Sequence, residues 1–384
     1  MRAGLGLILV TAPVVARASA SSTPRPIPAR HIEHETERMR SAWLSMCAGD
    51  AITSPCCLAW RDKVSRSIAQ LAMQLEDEHL WLSNVSRVNS RDQQNAQQGL
   101  FTTSFDVYEP TWNCELRVRT PHKAGDGPKW TCGLDALSGG AATDAAAAGA
   151  DGASGRDSCI VYSFGSNNDV SFERAVKSAA PGCKIWTFDP TIDKTTGAGG
   201  MMGYPTGVVT EAEREGLLTF MSIGIAGADG SFTFGNKTFP TLSLASIRSR
   251  LGHVGRLIDV LKIDVEGSEF GVLAQDAPIG SRRTAAGGGS LALGSIGQLL
   301  IEVHSRRFVM IAALMRRIRQ HGLMMFSKEP NLWAPPQVGC AEFSFVGREH
   351  AFRAFRATHP SCHATHGGTT SRTTGPQLNP SLAA

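Results

Sequence analysis

The sequence predicts an α/β fold with a doubly wound, mainly parallel sheet, and three observations carry that prediction. From Ser158 onward, short continuous apolar runs alternate with stretches whose apolar residues recur every three or four positions. The connections are short, so consecutive runs become parallel neighbours bridged by right-handed crossovers that cover both faces of the sheet. Several runs stop abruptly at glycine or acidic residues, as buried strands do on reaching the edge of a sheet.

Residues 1–20 form a signal peptide or anchor. Met1 to Gly4 carries one arginine, Leu5 to Val15 is almost wholly apolar, and Ala18-Ser19-Ala20 offers a small-residue cleavage site. The apolar stretch is short for a membrane span, so any membrane attachment would run through this segment alone. An organellar transit peptide is the alternative, because Arg2, Arg17, Arg25 and Arg30 occur before the first acid, Glu33. Residues 21–100 read as a linker and a helical lead-in. Met39, Trp43, Trp60, Val64, Ile68, Leu71 and Leu75 recur at helical spacing, a packing face with no chemistry assigned to it. An aromatic and cysteine-bearing segment spans 101–132, with Gly127-Pro128-Lys129-Trp130-Thr131-Cys132 at its end, and an Ala/Gly-rich insert fills 133–157.

The main domain spans 158–350. Cys159 to Phe164 is a strand ending at Gly165, a helix follows from Ser171 to about Ala179, and Lys184 to Phe188 is a strand ending at Asp189-Pro190. Leu217 to Ile225 leads through Gly227-Ala228-Asp229-Gly230 into a β excursion at Phe232 and Phe234. Thr241 to Leu251 reads as a helix stopped by Gly252, and Leu257 to Ile263 as a strand ending in Asp264, Glu266 and Glu269 around Gly267. Ile296 to Val303 is a strand with Glu302 and His304 at its end, and Phe308 to Ile318 marks a helix closed by Gly322. Leu323 to Phe326 and Ala341 to Val346 read as a terminal strand pair, with 351–384 a polar, disordered tail.

Composition bounds the function. A chain of 384 residues that is 42% hydrophobic buries one large core or two modest ones, which excludes wholesale disorder. A formal charge of +4 is too small to argue for nucleic acid, and no aromatic-basic interleaving supports it. Nine cysteines fit an oxidising compartment, and their odd number leaves at least one thiol over. Cys47, Cys56, Cys57, Cys114 and Cys132 are the disulfide candidates, with Cys159 and Cys183 read as small buried hydrophobes. Asn84-Val85-Ser86 and Asn236-Lys237-Thr238 are glycosylation sequons that a secretory route would expose to modification.

The chemistry lies at the strand ends. Gly165 lets a ligand approach the backbone at the start of a helix, and Asp189 follows about twenty residues later, where an acid can bind ribose hydroxyls. The second glycine of a pyrophosphate-binding loop is absent, as is a triphosphate-binding Gly-Lys-Ser/Thr loop. That disfavours a nicotinamide oxidoreductase and suits a cofactor with ribose but no pyrophosphate, of which S-adenosylmethionine is the common one.

Val161-Tyr162-Ser163-Phe164-Gly165, Phe188-Asp189-Pro190, Leu261-Lys262-Ile263-Asp264-Val265-Glu266-Gly267-Ser268-Glu269 and Leu300-Ile301-Glu302-Val303-His304 occur in an order that resembles the FkbM-like class I methyltransferases. The branch containing methyltransferase-like protein 24 also resembles this chain at Gly127 to Cys132 and at Lys328-Glu329-Pro330-Asn331. This resemblance implies a seven-stranded, Rossmann-like sheet binding S-adenosylmethionine. Phe164, Gly165, Ser166 and Asn167 would line the methionine and ribose, Asp189 would hold the ribose hydroxyls, Ser222 and Ile223 would border the adenine, and Asp264 would lie nearest the transferred methyl. Ser163 and Asn167 depart from the common pattern, in which many relatives have an acid and a second glycine at those positions.

A hydroxyl acceptor must lose a proton, so His304 is the candidate base, with Asp264, Glu266 or Glu302 orienting it or holding a divalent ion. The expected acceptor is a glycan or other hydroxylated small molecule. A catalytically silent binding or scaffold protein on the same sheet is the rival reading.

Overall fold

The computed structural model describes residues 29–47, 52–85, 105–138 save 124 and 126, 159–200, 205–274 save 235, 295–331 save 306 and 307, and 339–362. The proposed signal segment and most of the Ala/Gly-rich insert therefore lie outside the described residues. The described residues begin with two helices, α1 (Ala29–Leu44) and α2 (Pro55–Val85). A two-stranded hairpin follows, β1 (Arg117–Thr120) and β2 (Lys129–Cys132), then a short α3 (Asp135–Ser138).

The main domain then alternates as expected through β3 (Ile160–Phe164), α4 (Ser171–Ala179), β4 (Lys184–Phe188), α5 (Val208–Arg214) and β5 (Thr219–Met221). A small three-stranded sheet of β6 (Gly224–Ile225), β7 (Gly230–Phe234) and β8 (Lys237–Leu242) interrupts it before α6 (Leu244–Arg250). The rest is β9 (Ile258–Ile263), α7 (Glu269–Ala274), β10 (Ile296–His304), α8 (Phe308–Gln320), β11 (Met324–Pro330), β12 (Cys340–Val346) and α9 (Arg348–Thr358).

Seven strands form the central sheet in the order β11-β12-β10-β9-β3-β4-β5. β10, β9, β3, β4 and β5 run parallel, and β12 turns back antiparallel between β10 and β11. Every residue of β3 and β9 is buried, the signature of central strands covered on both faces. From β3 the chain winds outward through β4 to β5, then crosses to β9 and outward again through β10. The topological switch point therefore lies between the carboxyl ends of β3 and β9, where open α/β sheets place their ligand crevice.

Three local expectations change. The expected helix from Thr241 starts three residues later, because Thr241 and Leu242 pair in β8 and the Ser243 side chain caps the helix by accepting from the Ser246 N–H. Cys159 and Cys183 form a disulfide instead of packing as lone hydrophobes. They precede the paired residues Ile160 and Lys184 of two parallel strands, and that register brings their Cα atoms to 4.3 Å.

The expected tail from 351 onward begins inside α9, which buries His350, Ala351, Ala354 and Phe355, and Cys362 just beyond it bonds to Cys56 of α2. The lead-in is also stitched to the sheet domain. Trp43, Trp60 and Trp112 pack together with Phe355, and the buried Arg319 of α8 pairs with Glu35 and Glu78. Cys47–Cys57 and Cys114–Cys132 complete four disulfides, and Cys340 is the free, buried thiol.

Candidate active site at the sheet's switch point

Gly165 marks the crevice. Its φ of +78° is open to glycine, and a Cβ there would sit 1.7 Å from the Asp264 carbonyl oxygen, so no other residue fits. The Asp264 N–H donates to the Phe164 carbonyl at 3.1 Å and the Gly165 N–H to the Phe188 carbonyl at 2.9 Å, which pins three strand ends together. Lys262 donates from Nζ to the Gly165 carbonyl at 2.6 Å.

Along β3, β4 and β5 the structure brings the expected cofactor residues to one edge. Phe164 is buried and stacked on Phe188, with ring centroids 4.4 Å apart, so it supports the edge from beneath. Ser166 and Asn167 form a tight loop, with Asn167 at φ +47°. Asp189 holds that loop: Oδ2 accepts from the N–H groups of Ser166 (3.0 Å) and Asn167 (2.8 Å) and from the Ser166 hydroxyl (3.4 Å). Its Oδ1 accepts from the N–H and hydroxyl of Thr191 at 2.9 and 2.6 Å. Five donors fill the roughly four lone-pair sites of a carboxylate. Ser222 donates its hydroxyl to the Ile192 carbonyl at 2.6 Å, and Ile223 follows it at the end of β5.

Across the switch point the edge is charged. Asp264 Oδ2 lies 2.9 Å from Lys129 Nζ and 3.6 Å from Lys262 Nζ. Lys129, only 1% exposed, also donates to Glu342 and stands 3.8 Å from Glu302 Oε2. An ammonium group in such a place is tolerable only because carboxylates surround it. Burial opposes ionisation of Asp264, but Lys129 and Lys262 hold it well below the usual carboxylate range. Burial and the neighbouring Asp264 charge push Glu302 up to about 9, so it carries a proton at neutral pH. Burial raises Glu342 to about 6 against the pull of Lys129.

Glu302 faces two ways. Its Oε1 accepts from Asn331 Nδ2 at 2.7 Å and from the Cys340 thiol at 2.6 Å, and stands 3.8 Å from His304 Nε2. Glu269 anchors the other ring nitrogen, with Oε1 2.8 Å from Nδ1, and Glu266 lies 3.4 Å from Nε2. Burial disfavours the imidazolium, but Glu269, Glu302 and Glu266 raise His304 to about 10.

Glu266 and Glu302 stand beside His304 Nε2, whereas Asp264, also expected to orient the ring, pairs with Lys129 and Lys262, and Glu269 is the acid that holds Nδ1. Sequence reasoning gave no role to Lys129, Lys262, Glu342, Asn331 or Cys340. Lys262 did carry a signal, being a charge inside an otherwise apolar run that must find a partner once buried. Lys129 carried a fainter one, a lysine set between Pro128 and Trp130.

A family model described as "Methyltransferase domain" matches residues 75–347. The chain belongs to this methyltransferase family. No curated protein matches it. Among solved structures, the fibrillarin pre-rRNA processing protein of Methanococcus jannaschii is similar at 12% identity, over 50% of this chain and 67% of that one, with a TM-score of 0.29. That likeness is too slight to carry an argument. The family's matched range begins within α2 and takes in the β1–β2 hairpin, so the segment that delivers Lys129 is part of the family's domain.

Proposed function

We propose that this methyltransferase uses S-adenosylmethionine to methylate a hydroxyl of a glycan or other small molecule, as a secretory-pathway member of the FkbM-like branch. The observation that carries the reading is the switch point, where Gly165 and its loop stand on one side and Asp264, Glu266 and His304 on the other. The cofactor supplies an electrophilic methyl group on a sulfonium. Ser166, Asn167, Ser222 and Ile223 line the side where it would lie, and Asp189 would hold ribose hydroxyls by exchanging its contact with the Thr191 hydroxyl, one hydroxyl for another.

An acceptor delivered to the opposite side meets His304 Nε2. Glu269 fixes the ring and, with Glu302 and Glu266, favours the imidazolium, so the ring takes a proton from the acceptor only after releasing its own. Four disulfides support an oxidising compartment, and Asn236 of the second sequon is exposed.

Calorimetric titration of the full chain with S-adenosylmethionine and its demethylated product tests the reading. Stoichiometric binding is expected, with His304→Ala sparing binding and lowering turnover; no binding of either compound would end it. The saturation of Asp189 favours one rival, a silent scaffold on the same sheet, and the same titration separates the two.

A further inference from the structure

The charged edge contains two groups of metal-ligating side chains, and they are not equivalent. Asp264, Glu302 and Glu342 bring oxygen atoms within 4.8 Å of one another, the donor set for a hard cation. That position already holds a cation: Lys129 Nζ bonds to Asp264 and Glu342 and lies beside Glu302. Glu302, His304 and Cys340 form the second group, within the same 4.8 Å. Glu302 belongs to both because its two oxygens are divided, Oε2 toward Lys129 and Oε1 toward Cys340 and His304.

We propose that Glu302, His304 and Cys340 bind one borderline-soft divalent cation of the zinc type. The ligands come from two antiparallel strands, and the β10–β12 register sets His304 directly opposite Cys340. One oxygen, one imidazole nitrogen and one sulfur are the donor chemistry that selects zinc over magnesium or calcium. Three protein ligands leave one tetrahedral position open, the arrangement of reactive rather than purely structural sites. The donor atoms lie within 4.8 Å of one another, and the Cys340 thiol would release its proton as the metal binds.

Two further observations favour a cation here. Glu269 anchors His304 Nδ1 from behind, leaving Nε2 directed at the other ligands, which is the outer-shell support metal-bound histidines have. Glu269 is 0% exposed, and its second oxygen has no hydrogen-bond partner among the described residues.

The site shares His304 Nε2 with the methyl-transfer reading, so with the metal bound that nitrogen is a ligand and not the base; the proposal stands on ligand geometry, and its test uses the metal alone. Full-length protein stripped with a chelator is titrated with Co(II), a spectroscopic stand-in for zinc. Stoichiometric binding with a thiolate-to-cobalt charge-transfer band is expected, and zinc should abolish the band by displacement. The other eight cysteines are paired in disulfides, so in the wild-type protein that band reports Cys340. Cys340→Ser should lose the band, and Glu269→Gln should keep it while weakening Co(II) binding about 10- to 100-fold.

Absence of stoichiometric binding by the wild type would overturn the proposal, as would a band that survives in Cys340→Ser. Binding of Mn(II) or Mg(II) with Cys340 silent would overturn it too, by moving the cation to the oxygen group. Failure of S-adenosylmethionine binding in the calorimetric titration bears on the methyl-transfer reading and leaves the metal result intact.

Discussion

The two sides of the switch point hold negative charge in different ways. On the β3–β4 side a single carboxylate, Asp189, is satisfied by N–H groups and hydroxyls of the two adjoining loops. On the β9–β10–β12 side, Asp264, Glu302 and Glu342 meet across three strands and are balanced by Lys129 from the β1–β2 hairpin, far upstream in sequence. The difference is between dipoles and charges. Neutral donors can be exchanged one for another at modest cost, so the first side can trade a threonine hydroxyl for a ligand hydroxyl. Buried ions cannot lose their partner so cheaply, which makes the second side a rigid wall.

Removing the ammonium breaks the contrast most severely. Lys129→Met leaves Asp264 and Glu342, both mostly shielded from solvent, without their main counter-ion and should cost about 3–5 kcal/mol in urea denaturation, with Glu342→Gln recovering part of the loss in the double mutant. A loss below about 1 kcal/mol would show that the acids simply protonate and that the wall is not held by charge.

The docking of that hairpin should depend on pH. His350 donates from Nε2 to the Cys132 carbonyl at 2.6 Å, and the Cys132 N–H donates to Gln298 Oε1 at 2.7 Å, which ties β2 to the sheet. Burial above all lowers His350 to about 4. The unfolded chain takes up this proton near pH 6.5 and the folded one near 4, so the stability is fully present above 6.5 and is lost as pH falls between them. His350 accounts for about 3 kcal/mol across that window. A stability–pH profile whose slope is unchanged in His350→Gln would remove it from the account.

Gly165→Ala probes the seam itself. Its Cβ collides with the Asp264 carbonyl and its φ is unfavourable, so roughly 1–3 kcal/mol should be lost, together with cofactor binding. Thermal melts and calorimetry check the two effects separately. The mildest change is Asp189→Asn, which turns one acceptor into a donor facing loop N–H groups and should cost about 1–2 kcal/mol of stability. If it also leaves cofactor affinity untouched, the exchange of hydroxyls at Asp189 is wrong.

How far the site can be read from sequence follows the same division. Gly165, Asp189, Asp264 and His304 each stand next to the strand they terminate, so local pattern alone places them at one edge. Lys129 and Cys340 sit in segments that reveal nothing of what they face, because their partners are set by the docking of a hairpin and the return of an antiparallel strand. The cysteines divide likewise. Cys159 and Cys183 look like ordinary strand hydrophobes, and only the parallel register of β3 and β4 sets them side by side.

By itself, then, the sequence determines the α/β class, the parallel strands and the acidic strand ends, since apolar period and abrupt termination are properties of adjacent residues. Tertiary structure decides which charges neutralise which, because the energy of a buried ion depends on neighbours that the chain brings from more than 100 residues away, as when Lys129 meets Asp264. The lone buried thiol beside His304 and Glu302 is another such outcome, visible only once β12 has paired with β10.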